Sequence, residues 1–221
     1  FVSTIRPEGV YSLLPRAGGV VVHLGPSETW SPALRVGFTQ QMMGRWIGGE
    51  LRLASEPGHE EERVWFHEGA ARFFAARTLS RLGLLAPKDA RDFVNGLLSV
   101  QATSPYRGQG NTRVAAAAKS DPRAHAHLVA MGALSALRLS RLLFEQGHAE
   151  AGLEGVVREL LETVRKKSGP LPESEWVLAI DKALGKQEAA RFEATLASGA
   201  DVVLPPKALG PCFVQEKGSF V

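Results

Sequence analysis

Phe38-Thr39-Gln40-Gln41-Met42-Met43-Gly44-Arg45-Trp46-Ile47-Gly48-Gly49 is the stretch whose reading decides the fold. Upstream, Ser31-Pro32 is a helix start, since Ser caps and Pro fits the first helical position. Downstream, Gly48-Gly49 is a helix stop. The pattern predicts a helix from Ser31 to Ile47. Leu34, Phe38, Met42 and Trp46 recur at a spacing of four and predict one buried stripe. Gly44 is out of place near the end of such a helix, where an interior Gly costs about 1 kcal/mol relative to Ala. It implies a close neighbour or a lost side chain.

Outward from this helix the chain reads as mainly α, an α+β protein with a small N-terminal β-sheet. Val10-Tyr11-Ser12-Leu13-Leu14 and Val20-Val21-Val22-His23-Leu24 are short apolar runs between Gly and Pro, as buried strands require. His23 inside the second run reads as a structural histidine. A second helix is expected from residue 60 to 82, stopped by Gly83. A third opens at Pro87, with Phe93, Leu97 and Leu98 on its apolar side. Residues 101–121 read mostly as loop. Pro122 starts a long, internal helix to about Gln146. Leu153, Val156, Val157, Leu160, Leu161 and Val164 follow the pattern of a surface helix with one buried face. The charges opposite, from Glu154 to Arg165, read as a solvated face. Helices at 173–184 and 186–198 follow, divided by Gly185. Val202-Val203-Leu204 reads as a terminal strand. With no internal repeat or composition break, residues 1–221 are expected to form one domain: 1–30 strand-rich, 31–200 helical, 201–221 strand and tail.

Composition narrows the function. The chain has 221 residues, 44% of them hydrophobic and 22% charged, as a soluble globular protein does. A net charge of +3 with dispersed Lys and Arg argues against nucleic acid. No apolar run approaches the roughly 18 residues of a membrane span, so no transmembrane segment is expected. The single cysteine, Cys212, excludes an intrachain disulfide and a cysteine zinc cage, and reads as a packed thiol. A start at Phe1 suggests a processed or excised chain. Compartment and oligomeric state are left open.

The chemistry that fits this helix is a zinc site of the His-Glu-x-x-His kind. Two imidazoles at i and i+4 share a helix face, the Glu beside the first takes a proton from zinc-bound water, and a third ligand comes from elsewhere. Gly44-Arg45-Trp46-Ile47-Gly48-Gly49-Glu50-Leu51, then Trp65-Phe66-His67-Glu68-Gly69-Ala70-Ala71-Arg72-Phe73-Phe74-Ala75, then Leu82-Gly83-Leu84-Leu85, resemble the glycyl aminopeptidase family of gluzincin zinc metallopeptidases. The likeness continues through Gly132-Ala133-Leu134 and Val203-Leu204-Pro205-Pro206, covering roughly residues 35–213. It implies a thermolysin-like catalytic domain.

Carried over residue by residue, the resemblance places the two His ligands at Gln40 and Gly44, the general base at Gln41, and the third ligand at Glu68. An oxyanion-donating Tyr would fall at Val129. Gly44 has no ligand atom, Gln40 offers only a neutral amide, and Gln41 accepts no proton at neutral pH. The zinc of related enzymes is therefore not expected, nor another cofactor. His59 and His67 near Glu68, and His125 with His127, diverge on their helices and read as exposed polar side chains. Arg72, at i+4 from Glu68, stands at pairing distance, and Gln40 and Gln41 are further hydrogen-bond partners for it. The expected function is a catalytically inactive, metallopeptidase-like pseudoenzyme. Its old cleft, drawn from Trp46, Trp65, Phe66, His67 and Arg72, would bind a peptide or partner segment. The alternative is an active aminopeptidase-like hydrolase with a non-standard metal site or metal-free chemistry.

Overall fold

The Ser31 hydroxyl accepts a hydrogen bond from the Leu34 N–H at 3.3 Å, and Pro32 takes the first helical position, so helix α1 (Pro32–Met43) begins where its sequence sets it. The computed structural model describes residues 11–16, 19–25, 27–147 and 152–216. It is mainly helical, with one two-stranded antiparallel sheet among these residues. Strands β1 (Tyr11–Arg16) and β2 (Gly19–Leu24) pair from Tyr11 opposite Leu24 to Arg16 opposite Gly19. Val10, expected in the first strand, and Pro26 lie outside the described residues. The hairpin rests on α1, where Leu13 and Tyr11 approach Gly37.

α1 ends before Ile47. The N–H groups of Arg45 and Trp46 turn back to Met42 and Met43, and Ile47 instead bridges Leu51. Gly48 makes this possible, with φ +92, a conformation that costs other residues a steric penalty. The stripe expected to be buried is only half so. Leu34 is buried, but Met42 and Trp46 are exposed, and the inward face carries Val36 and Gln40. The buried face differs from the expected stripe because the hairpin and the helix at Ala71–Arg81 cover α1 from sides its own periodicity does not specify.

The expected helix 60–82 is three segments: a 3₁₀ turn (Glu60–Arg63), a π-helical turn (Trp65–Ala70) and α2 (Ala71–Arg81). α3 (Pro87–Thr103) follows. α4 (Asn111–Ala118) takes the middle of what reads as loop, because Val114 and Ala115 are buried and the Asn111 amide donates to the Glu62 carbonyl at 2.9 Å. The long helix is α5 (Pro122–Glu145), capped by Asp121, whose carboxylate accepts from the Arg123 N–H at 2.8 Å. α6 (Gly152–Lys167), α7 (Glu173–Leu184) and α8 (Lys186–Ser198) complete the set. Glu154 on α6 does not lie on a purely solvated face: it pairs with Arg77 and Arg81 of the α2 helix. Residues 202–204 are not a strand. Val202 is held instead by the Gln101 side chain, which accepts its N–H at 2.9 Å and donates to its carbonyl at 3.4 Å.

α5 is the centre of the core, with buried residues around nearly its whole circumference. By length and composition it is the one helix among the described residues apolar enough to cross a membrane, but most of it is buried inside this structure, as in a core helix. Its most extensive contact is with the π-helical turn. A Cβ on Gly69 would stand 2.8 Å from the Gly132 Cα, and a Cβ on Gly132 would run into the Trp65 carbonyl oxygen. Backbone therefore meets backbone at this crossing. Beside it Trp65, Phe66, Trp176 and Phe192 pack edge to face, with centroids as close as 4.9 Å.

Candidate functional site

The glycine crossing also decides where Glu68 goes. His125, Val129 and Gly132 follow the i, i+4, i+7 spacing of one helix face. With Gly132 seated on the π-helical turn, His125 comes two turns back along the face that meets Glu68. The His125 Nε2 and Glu68 Oε2 atoms lie 3.0 Å apart, with side chains 40% and 44% exposed. This hydrogen bond raises the His125 pKa above its ordinary value, against a smaller opposing push from burial. His125 is therefore not a free polar side chain. It escaped sequence reading because its partner is 57 residues away.

Glu68, His125 and Arg72 line an open cleft of about 700 Å³ between the start of α1, α3 and the N-terminal half of α5. Val36, Phe93, Leu97 and Val100 form much of its apolar wall. No ion pair joins Glu68 to Arg72. The i→i+5 bonding of a π turn carries more residues per turn, so the i+4 position no longer stacks over i. Arg72 lies instead over the Phe93 ring, its guanidinium carbon 5.9 Å from the centroid.

The other expected site residues are dispersed. Gln40 is buried on the α1 face that meets α2, Gln41 is half-exposed, and Gly44 lies just past the helix end, its N–H bonded to the Gln40 carbonyl at 2.9 Å. None of the three lines the cleft, which α1 walls only with its first turns, from Ser31 to Val36. Gly44 has no close neighbour: a Cβ there would meet only carbonyls of its own helix, the nearest at 3.3 Å. Trp65 and Phe66 are core residues and do not face the cleft. Trp46 is exposed in the turn after α1, also away from it.

His67 points the other way. Its Nε2 accepts the Leu53 N–H at 3.2 Å, and its Cβ sits against Gly48, so it latches the 47–53 segment onto the π-helical turn. Burial first, then the Arg63 and Arg52 charges, push its pKa down to about 4, and the ring is neutral at neutral pH. His127 is buried in the core and also lowered by burial. Cys212 is an exposed thiol, not a packed one.

Among the described residues no three His, Cys, Asp or Glu side chains cluster with metal-holding spacing. The chain matches no protein-family model, and no curated protein matches its sequence.

Proposed function

We propose that this chain is a catalytically inactive, metallopeptidase-like domain whose cleft beside Glu68 binds a peptide or partner segment. The observation that carries the reading is the cleft itself. It has apolar walls and holds three carboxylates (Glu68, Asp89 and Asp92), an imidazole and a guanidinium at its lining. Pockets of this size and mixed character are the ordinary places for ligands.

The chemistry present favours binding over turnover. Gln41 has no basic group to take a proton from water. Gln40 offers a neutral amide and Gly44 offers nothing. The donors near Glu68 do not fit zinc, because Glu68 and His125 together are one short of the three protein ligands a catalytic zinc takes. A lost side chain accounts for Gly44 better than a close neighbour, since only carbonyls of its own helix lie near it.

The test is a titration with a pool of fluorescent hexapeptides, read by polarisation. Ala126 is exposed and lines the cleft, so Ala126→Trp narrows the cleft without disturbing the core. Binding that weakens roughly tenfold or more in this variant supports the reading. One zinc per purified chain located beside Glu68, or chelator-sensitive release of N-terminal residues from short peptides, would replace it with the hydrolase reading. Gln40→His, Gln41→Glu and Gly44→His together test the residue correspondence, since these positions do not line the cleft with Glu68; zinc affinity in the triple variant would support it. A folded triple variant with none would count against the residue correspondence.

A further inference from the structure

Arg72 is the one cation lining the cleft that is left without a counter-charge. Its Nε is buried with no hydrogen-bond partner, and among the described residues no ion pair reaches its guanidinium. Burial lowers its pKa, while Tyr11 and Glu68 oppose that at longer range. Buried charges are ordinarily paired, and an orphaned one calls for an explanation. The Phe93 ring offsets part of the cost. Water could satisfy the N–H groups but not the charge.

Two of the three carboxylates lining the cleft are paired, and the third sits at a helix start. Glu68 is matched by His125. Asp92 is held by Lys88 at 3.0 Å and Arg91 at 2.8 Å. Asp89 lies in the first turn of α3, where the helix dipole favours an anion. What remains is a guanidinium set among Phe93, Val36, Leu97 and Val100. A planar fork of N–H donors matches a carboxylate, and apolar walls match an apolar body.

We infer that Arg72 anchors a carboxylate subsite, so that the cleft takes an apolar ligand ending in a carboxylate group. That group is supplied either by a small apolar acid or by the C-terminus of a peptide. In its peptide form this rests on the binding reading above, and names which end of the peptide enters. Arg72 binds the carboxylate directly, and the Glu68–His125 pair borders the subsite.

The experiment compares acids with their amides by calorimetry on the intact chain. The probes are 3-phenylpropanoate against 3-phenylpropanamide, and Leu-Leu-Phe with a free against an amidated C-terminus. The acid is expected to bind roughly tenfold to a hundredfold more tightly than its amide, the range of a charge-assisted pair of hydrogen bonds. Arg72→Met, which keeps an apolar stem in the cleft but lacks the guanidinium over Phe93, removes that preference, and Arg72→Lys retains part of it. Acid preference in the peptide pair alone identifies a peptide C-terminus. Acid preference in the small-molecule pair alone keeps the subsite and removes the peptide reading. Equal binding of acid and amide leaves the cleft reading standing and overturns the Arg72 assignment. An acid preference that persists in folded Arg72→Met overturns it too, as does no binding by any of the four probes.

Discussion

The end of α1 and the π-helical turn are held in opposite ways. Around Gly44 there is room: Gln41 is half-exposed, Trp46 is exposed, and a side chain at 44 would touch only its own helix. At Gly69 there is none, because the turn lies backbone to backbone on α5. The resemblance places two ligand positions and the base position in the first region and one ligand position in the second. Of the positions that correspondence would involve, Gln41 and Gly44 have room around them, while Gln40 is buried. The one that matches the family pattern lies where the neighbouring backbone sets the geometry.

The sharpest way to break this contrast is to add one methyl group on each side of it. Gly132→Ala drives a Cβ into the Trp65 carbonyl and is expected to lose about 3 kcal/mol or more, the upper range of overpacking. Chemical denaturation measures it, and a near-neutral result would mean that the crossing relaxes freely.

Acid sensitivity comes next. The His67 pKa lies below its unfolded value of about 6.5, at about 4. Between these values the unfolded chain binds more protons, so stability falls as pH drops, by up to about 3 kcal/mol at pH 4 and below. His127, also lowered by burial, acts in the same direction. His67→Gln keeps an acceptor for the Leu53 N–H and is expected to flatten the pH 4 to 6.5 limb of the stability profile. An unchanged limb would place the acid sensitivity elsewhere.

Gly44→Ala is expected to stabilise by about 0.5–1 kcal/mol, because its φ of −56 suits Ala and the added Cβ would meet only carbonyls of its own helix. Destabilisation there would remove the contrast with Gly132.

The smallest effect is that of the Glu68–His125 pair. Both side chains are about two-fifths exposed, so screening leaves under about 1 kcal/mol. His125 is raised in the folded state. Its contribution is fully present below pH 6.5 and fades as pH climbs through the higher folded value. An NMR titration of His125 should show a midpoint above 6.5 that moves down in Glu68→Gln.

Helix starts were legible because their signals are local. Ser31-Pro32, Pro87 and Asp121-Pro122 each carry the chemistry of a first turn, and α1, α3 and α5 begin there. α4 was not legible, since Ala115 to Ala118 follow a run of turn residues, and the burial of Asn111, Val114 and Ala115 that anchors the helix is a tertiary contact. The residues 202–204 misled for the converse reason. They have strand composition, but their hydrogen-bond partner is the Gln101 side chain, which no strand pattern encodes. Of the candidate site, Glu68 and Arg72 could be picked out by position, and both line the cleft. The His125 contact could not, although Gly69 and Gly132, each in an otherwise apolar helical context, were the available sign that two helices cross without side chains between them.

The same crossing has a consequence for how the cleft comes into being. Glu68 and His125 are 57 residues apart, and neither α3 nor α4, which lie between them in the chain, makes their contact. No local segment contains the site, so no fragment of the chain is expected to show it. Closing so long a loop costs entropy before any contact repays it. The cleft should therefore be among the last features gained on refolding. Amide protons at the Gly69–Gly132 crossing should exchange only when the whole core opens.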